Sequence, residues 1–161
     1  MAMDQTTKKK VLKSFTYGMF VFTSKAEDEI SAGSVTWVTQ CSFQPPLVAV
    51  GLRLDGGPYQ VVKESGVFAL HLVARGDKAL ASSFFRPVRV EDGRMNGYPF
   101  TLDEEHDVPL LEDAPAYLIC KVREITHIGD HHLVIGEVVD AGMREEMEPM
   151  VLREAGWSYS G

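Results

Sequence analysis

The sequence predicts a mainly β protein, an antiparallel barrel with a few helices outside it. Three observations carry this expectation. Six or seven segments have strand composition, against two or three with helix composition. The strands do not alternate regularly with helices, as a doubly wound parallel sheet requires. Ala116 to Ile128 and His131 to Met143 are two long strand-like runs across Gly129-Asp130, which has the chemistry of a two-residue hairpin turn.

The elements follow in order. Lys8 to Tyr17 places Val11, Leu12 and Phe15 on one helical face, with Gly18 as its stop. Met19 to Ser24 is rich in Phe and Val and reads as a strand, and Lys25 to Glu29 as a charged loop. Ile30 to Ser42 reads as one strand of small, β-branched and hydroxyl residues, broken by Pro45-Pro46. Leu47 to Leu54 is a further strand. Asp55-Gly56-Gly57-Pro58 is a turn, and Tyr59 to Glu64 a short helix ended by Gly66. Val67 to Val73 is a strand, and Asp77 to Phe85 a helix with Asp77 as N-cap and Pro87 past its end. Arg86 to Ala114 is irregular and longer than a connector needs, which marks it as a functional loop. Met150 to Leu152 adds a last short strand.

Composition bounds the function. With 161 residues, 45% hydrophobic and 24% charged, the chain reads as one globular domain over 1–161. A net charge of −7 argues against a nucleic-acid surface, which needs cations to neutralise phosphates. No apolar run approaches the roughly 20 residues of a membrane span. Lys8, Lys9 and Lys10 are followed by no apolar signal region. Cys41 and Cys120 form no C-x-x-C pair, so a cytoplasmic protein with two buried thiols is expected. Dinucleotide-fold glycines, a P-loop and a zincin motif are all absent. Gly156-Trp157-Ser158 resembles a nucleophile elbow but lacks its second glycine.

Several constellations remain. Ser34, Thr36, Thr39, Gln40 and Ser42 are polar within a stretch that Val and Trp content assigns to the core. That is either a strand with a wet face or a wall for a flat polar ligand. Gly56 and Gly57 ahead of a helix would let backbone N–H groups approach an anion, or simply make a turn. Phe84-Phe85-Arg86 offers stacking surface beside a guanidinium, or core aromatics with a helix-end cation. His127, His131 and His132 cluster at the hairpin tip, but Gly129 and Asp130 break any helix. Adjacent strand residues face opposite ways, so at most one of the pair turns toward a pocket.

In order and spacing the chain resembles the flavin reductase-like family, the FMN-binding split barrels. The likeness is carried by Ser14-Phe15-Thr16-Tyr17-Gly18, Val35-Thr36-Trp37-Val38-Thr39-Gln40 and Gln44-Pro45-Pro46-Leu47-Val48-Ala49-Val50. Glu64-Ser65-Gly66-Val67-Phe68-Ala69-Leu70, Ala81-Ser82-Ser83-Phe84-Phe85, Gly129-Asp130-His131 and Ile135-Gly136-Glu137-Val138 continue it. The resemblance implies a homodimer of six-stranded antiparallel split barrels with a flavin, FMN or FAD, at the interface. It implies a flavin wall of Ser34, Thr36, Trp37, Val38, Thr39, Gln40 and Ser42. A phosphate loop of Asp55, Gly56, Gly57 and Tyr59 follows, with Phe84 and Arg86 close to the cofactor. His131 is the implied catalytic residue, beside the nicotinamide. One departure is that Gly56, Gly57 and Pro58 stand where many relatives carry Ser, Thr, Arg or Lys. Backbone N–H groups would then hold the phosphate, with Arg53 or Arg86 near. His71 stands where relatives often carry Asn, and neither it nor the tail Ala155 to Tyr159 receives a role.

The activity so implied is hydride transfer from NAD(P)H to flavin, with reduced flavin passed to a monooxygenase or other acceptor. A flavoredoxin-like carrier that holds FMN tightly, and a barrel that has lost flavin, are the competing readings.

Overall fold

The computed structural model describes all 161 residues. Helix α1 (Gln5–Lys13) is capped by Asp4, whose carboxylate accepts from the Thr6 N–H at 3.1 Å. It begins three residues before the expected start and ends at Ser14, and none of its residues is buried. Strands β1 (Phe20–Ala26) and β2 (Glu29–Val35) then pair as a hairpin. The charged loop expected over Lys25 to Glu29 is a tight turn, with Glu27 at φ 54°.

The long run to Ser42 is two strands. Strand β3 (Val38–Ser42) is separated from β2 by only Thr36 and Trp37. Strand β4 (Leu47–Arg53) leads to helix α2 (Gly57–Ser65), ended by Gly66 at φ 70°. Strand β5 (Val67–Leu72) leads to helix α3 (Lys78–Ser83), where Asp77 accepts from the Leu80 N–H as expected of its N-cap.

Arg86 to Ala114 is not an unstructured loop. It holds a small four-stranded sheet of β6 (Val90–Glu91), β7 (Arg94–Met95), β8 (Tyr98–Leu102) and β9 (Pro109–Leu111). Strands this short carry no sequence period, so the segment reads as irregular. Strands β10 (Ala116–Ile125) and β11 (His131–Met143) form the expected hairpin. Its turn is longer than two residues: Ile125 pairs with Val134, and His131 and His132 pair with Arg53 and Leu52 of β4 instead. Met150 to Leu152 makes only isolated bridges. No helix is long and apolar enough to cross a membrane.

The main sheet runs β2-β1-β5-β10-β11-β4-β3, all antiparallel. Its two outermost strands are consecutive in the chain. A two-residue link reaches at most about 10 Å, so the sheet has to curl until its edges meet. The mainly β barrel with outer helices therefore stands, with seven strands where the resemblance implied six. Splitting Ile30 to Ser42 supplies the extra one.

The curled sheet encloses Phe22, Val50, Leu52, Phe68, Leu70 and Val134, with Tyr59 and Val62 of α2 packed among them. Phe22 and Phe68 stack at 4.8 Å. A second cluster of Met19, Val21, Leu80, Phe84, Met95, Leu111 and Leu152 joins the sheet to α3, the small sheet and the tail. The two thiols differ: Cys120 lies in the first cluster and Cys41 is exposed on β3, contrary to the expectation that both are buried. Burial pushes the Cys120 thiol up to about 12.

His71 receives its role here. The fully buried ring links three strands: Nδ1 donates to the Val21 carbonyl at 3.0 Å, and Nε2 accepts from the Leu111 N–H at 3.0 Å. Only a neutral imidazole serves both partners. Burial lowers its pKa from 6.5 to about 4, with nearby Arg144 acting the same way and the Val21 bond opposing. A histidine held neutral stabilises the fold fully above the unfolded value and loses that stability as pH falls from 6.5 through 4. The full loss is roughly 3 kcal/mol. Urea melts at pH 7 and pH 4.5 should show most of it, and His71→Gln should flatten the slope. An equal slope in the variant would assign the pH dependence to other groups.

Candidate functional site

A cleft with a volume of about 840 Å³ opens at one side of the sheet. Its walls are β2 along its whole length with the Thr36-Trp37 link, the end of β4 with the turn into α2, the Phe84 to Val88 segment, His131, and the tail from Gly156 to Tyr159. Local bonds explain why these pieces converge. The Ser34 hydroxyl donates to the Ala81 carbonyl at 2.6 Å, and the Ser34 N–H donates to the Phe84 carbonyl at 3.1 Å. Ser34 thus fastens β2 to the end of α3, which carries Phe84, Phe85 and Arg86 to the rim. Trp37 lies against Gly51, where a Cβ would sit 3.2 Å from the indole, and its carbonyl accepts from the Gly51 N–H at 2.8 Å. Glycine at 51 is what lets the indole approach the sheet.

The turn before α2 has no side-chain cap. Gly56 is the N-cap, Pro58 follows in the first turn, and no acidic residue stands there. This leaves backbone donors at the positive end of a nine-residue helix that faces the cleft. Of the two nearby cations, Arg53 is held by Asp55 through bonds of 3.1 and 2.9 Å. Arg86 is exposed and makes no ion pair.

At the other end stands a hydrogen-bonded chain. His131 Nδ1 lies 2.8 Å from Asp130 Oδ1, and His131 Nε2 lies 2.6 Å from the Tyr159 hydroxyl. The His131 bond holds the Asp130 carboxyl below its usual range, while burial raises the Tyr159 hydroxyl. Trp37 packs on both partners, 4.4 Å from the His131 ring and 5.1 Å from the Tyr159 ring. Its Nε1 donates to the Tyr159 carbonyl at 3.3 Å. His132 points the other way, with Nδ1 2.7 Å from the Tyr59 hydroxyl and its ring 5.0 Å from that of His127. The alternation of strand side chains therefore sets His131 apart from the His127–His132 pair, and no group of three His, Cys, Asp or Glu side chains is placed to hold a metal.

The cleft brings together Ser34, Thr36, Trp37, Asp55, Gly56, Gly57, Phe84, Arg86 and His131. It does not include Val38, Thr39, Gln40 or Ser42, because the chain crosses to the opposite sheet edge at Trp37. Thr39 and Gln40 are exposed there. Tyr59 is buried in the barrel core. Ser34 lines the cleft, but its hydroxyl hydrogen is committed to Ala81. Sequence reading missed the tail residues Trp157 and Tyr159, whose only sequence signal is two aromatics close together in an otherwise polar tail. Trp157 packs edge-on against Phe85 at 4.9 Å, with Lys78 Nζ 5.0 Å over its ring.

The structure offers its own test of whether a flavin fits. Thr36 Oγ1 is buried in the cleft wall and is the one buried side-chain polar atom without a hydrogen-bond partner. A buried hydroxyl left unpaired costs about 1–3 kcal/mol, and one in a cleft wall is available to a ligand. A flat ring with polar edges would satisfy it, with Trp37 and Phe85 as apolar surface and the α2 terminus for a phosphate. The residues fit the group.

Known proteins resemble this chain in sequence and fold. The sequence pattern of the flavin reductase like domain matches residues 12–157. The reductase component of 4-hydroxyphenylacetate 3-monooxygenase from Thermus thermophilus is 27% identical over 153 residues, covering 92% of each chain. A flavin reductase (NADH) from Kitasatospora aureofaciens is 29% identical over 154 residues, covering 90% of this chain and 75% of that one. An NADH:FAD oxidoreductase from Streptomyces globisporus, solved in complex with NAD and FAD fragments, superposes with a TM-score of 0.77 at 25% identity. The match covers 92% of this chain and 87% of that one.

Replacing Gly51 by Val should push the Trp37 indole off the sheet, since a Cβ already meets it at 3.2 Å. Tryptophan emission is expected to shift to the red as the ring meets water, with the melting temperature only a few degrees lower. An unchanged spectrum in a folded variant would show that glycine is not required there.

Proposed function

The chain belongs to the flavin reductase-like domain family, and from that premise we propose that it is an NAD(P)H-dependent flavin reductase delivering reduced flavin to an oxygenase or another acceptor. The observation that supports it most directly is the unpaired Thr36 hydroxyl in the wall of a cleft this size. A bound flavin supplies the redox chemistry, accepting a hydride from the nicotinamide.

The chain's own residues bind, orient and exclude water. Thr36 Oγ1 hydrogen-bonds a polar edge of the ring. Trp37 and Phe85 supply apolar faces. Gly56 and Gly57 present the α2 N-terminus to a phosphate, and Arg86 supplies the charge that Arg53, tied to Asp55, gives up only in part. His131 orients the nicotinamide, held by Asp130. Trp157, anchored against Phe85, shields the ring stack from water. FMN is the expected flavin, with FAD the alternative. Having glycines in place of cationic or hydroxyl side chains on the phosphate loop suits a flavin that comes and goes as substrate. The reading includes a homodimer.

Oxidation of NADH and NADPH by the purified protein, with and without FMN, tests the proposal. Turnover should require added flavin. Thr36→Val should raise the flavin KM about 5- to 10-fold, the equivalent of one hydrogen bond of about 1 kcal/mol. A yellow protein that keeps FMN through gel filtration and oxidises neither nucleotide would be an electron carrier instead.

A further inference from the structure

His131 has two ring nitrogens, and both are taken. Nδ1 faces the Asp130 carboxylate at 2.8 Å, and Nε2 faces the Tyr159 hydroxyl at 2.6 Å. An ionised carboxylate only accepts, so Nδ1 carries the proton and Nε2 is an acceptor to which the phenol donates. Any ligand that hydrogen-bonds His131 from the cleft must take Nε2, and Tyr159 must let it go. Protonating the ring changes the direction of that bond and not the count, because Nε2 still serves one partner.

The Tyr159 contact is built to be released. Tyr159 belongs to no helix or strand, and it follows Gly156, which adopts φ 85°. The tail's anchor lies elsewhere, in Trp157 against Phe85 and in the Trp157 N–H bond to the Leu152 carbonyl at 3.2 Å. Tyr159 itself is held by the Trp37 and His131 contacts, with the Arg53 guanidinium beside its hydroxyl, and by no bond to the backbone of a strand or helix through its side chain. A primary carboxamide presents N–H donors at its edge, the same polarity as the phenol it would replace.

We propose that Tyr159 sets the affinity for nicotinamide by occupying, until the nucleotide arrives, the one position on His131 that the carboxamide requires. This rests on the reading that His131 faces the nicotinamide. Binding then exchanges one hydrogen bond on Nε2 for another, so His131 orients the ring while adding little net affinity. Tyr159 is a specificity residue of this site that takes no part in the chemistry.

The test titrates NAD⁺ into the protein, following tryptophan emission from Trp37 and Trp157, with the NADH KM measured alongside. Tyr159→Phe keeps the ring and removes the competing bond. NAD⁺ should bind about 5-fold more tightly, and the NADH KM should fall in step, with the change carried by KM more than by kcat. Adding His131→Ala in the Y159F background should then weaken NAD⁺ by a similar factor. That background is needed because in the native chain removing His131 abolishes both competing bonds at once. If Y159F fails to tighten NAD⁺ while the double variant weakens it, the competition is refuted and His131 still faces the nicotinamide. If the double variant binds as Y159F does, the reading of His131 itself falls, and the proposal with it. Thermal melts check that both variants are folded.

Discussion

The architecture depends on a covalent constraint two residues long. Strands β2 and β3 are the outer edges of a seven-stranded sheet, and Thr36-Trp37 is all that joins them. Hydrophobic burial would favour many ways of packing such a sheet, but this link permits only those in which it wraps round to itself. The same two residues carry the most exposed consequences of closure. Thr36 has a hydroxyl that the closed backbone cannot satisfy, and Trp37 lies across the seam on Gly51. Closure and site are one feature.

What was legible in the sequence follows from how far each signal reaches. The long hairpin, the Asp77 cap and the Gly66 stop are set within a few residues, and the chain states them locally. The break at Thr36-Trp37 was not legible. Thr and Trp are good strand residues, and only the closure of the distant edges makes the chain turn there. The turn sends Val38, Thr39, Gln40 and Ser42 to the far edge of the sheet, while Thr36, Trp37, Gly56, Gly57, Arg86 and His131 line the cleft. The small sheet within residues 90–111 was hidden for a different reason: two- and three-residue strands have no period to read. Tyr59, which the resemblance assigns to the phosphate loop, turns its ring inward to the core, a direction that no local signal states.

Two histidines show how placement divides one chemistry. His71 is fully buried, its two nitrogens satisfied by backbone groups from different strands, and a charge there is disfavoured. It acts as a polar rivet between the main sheet and β9. His131 makes the same number of bonds, but to side chains at a cleft, one of them on a tail without regular structure. Bonds to backbone within a packed core are permanent. A bond to a side chain that can swing away is an exchangeable one. Position along a strand would not have told these two residues apart.

The two cysteines carry a practical consequence. Cys120 is enclosed by the barrel core, and its thiol stays protonated far above neutral pH. Cys41 lies open on β3, on a strand whose residues do not line the cleft. A maleimide at neutral pH therefore has one place to react. The native sequence supplies a single-site attachment point for a spin label, a dye or a crosslinker, placed where a bulky adduct leaves the cleft clear.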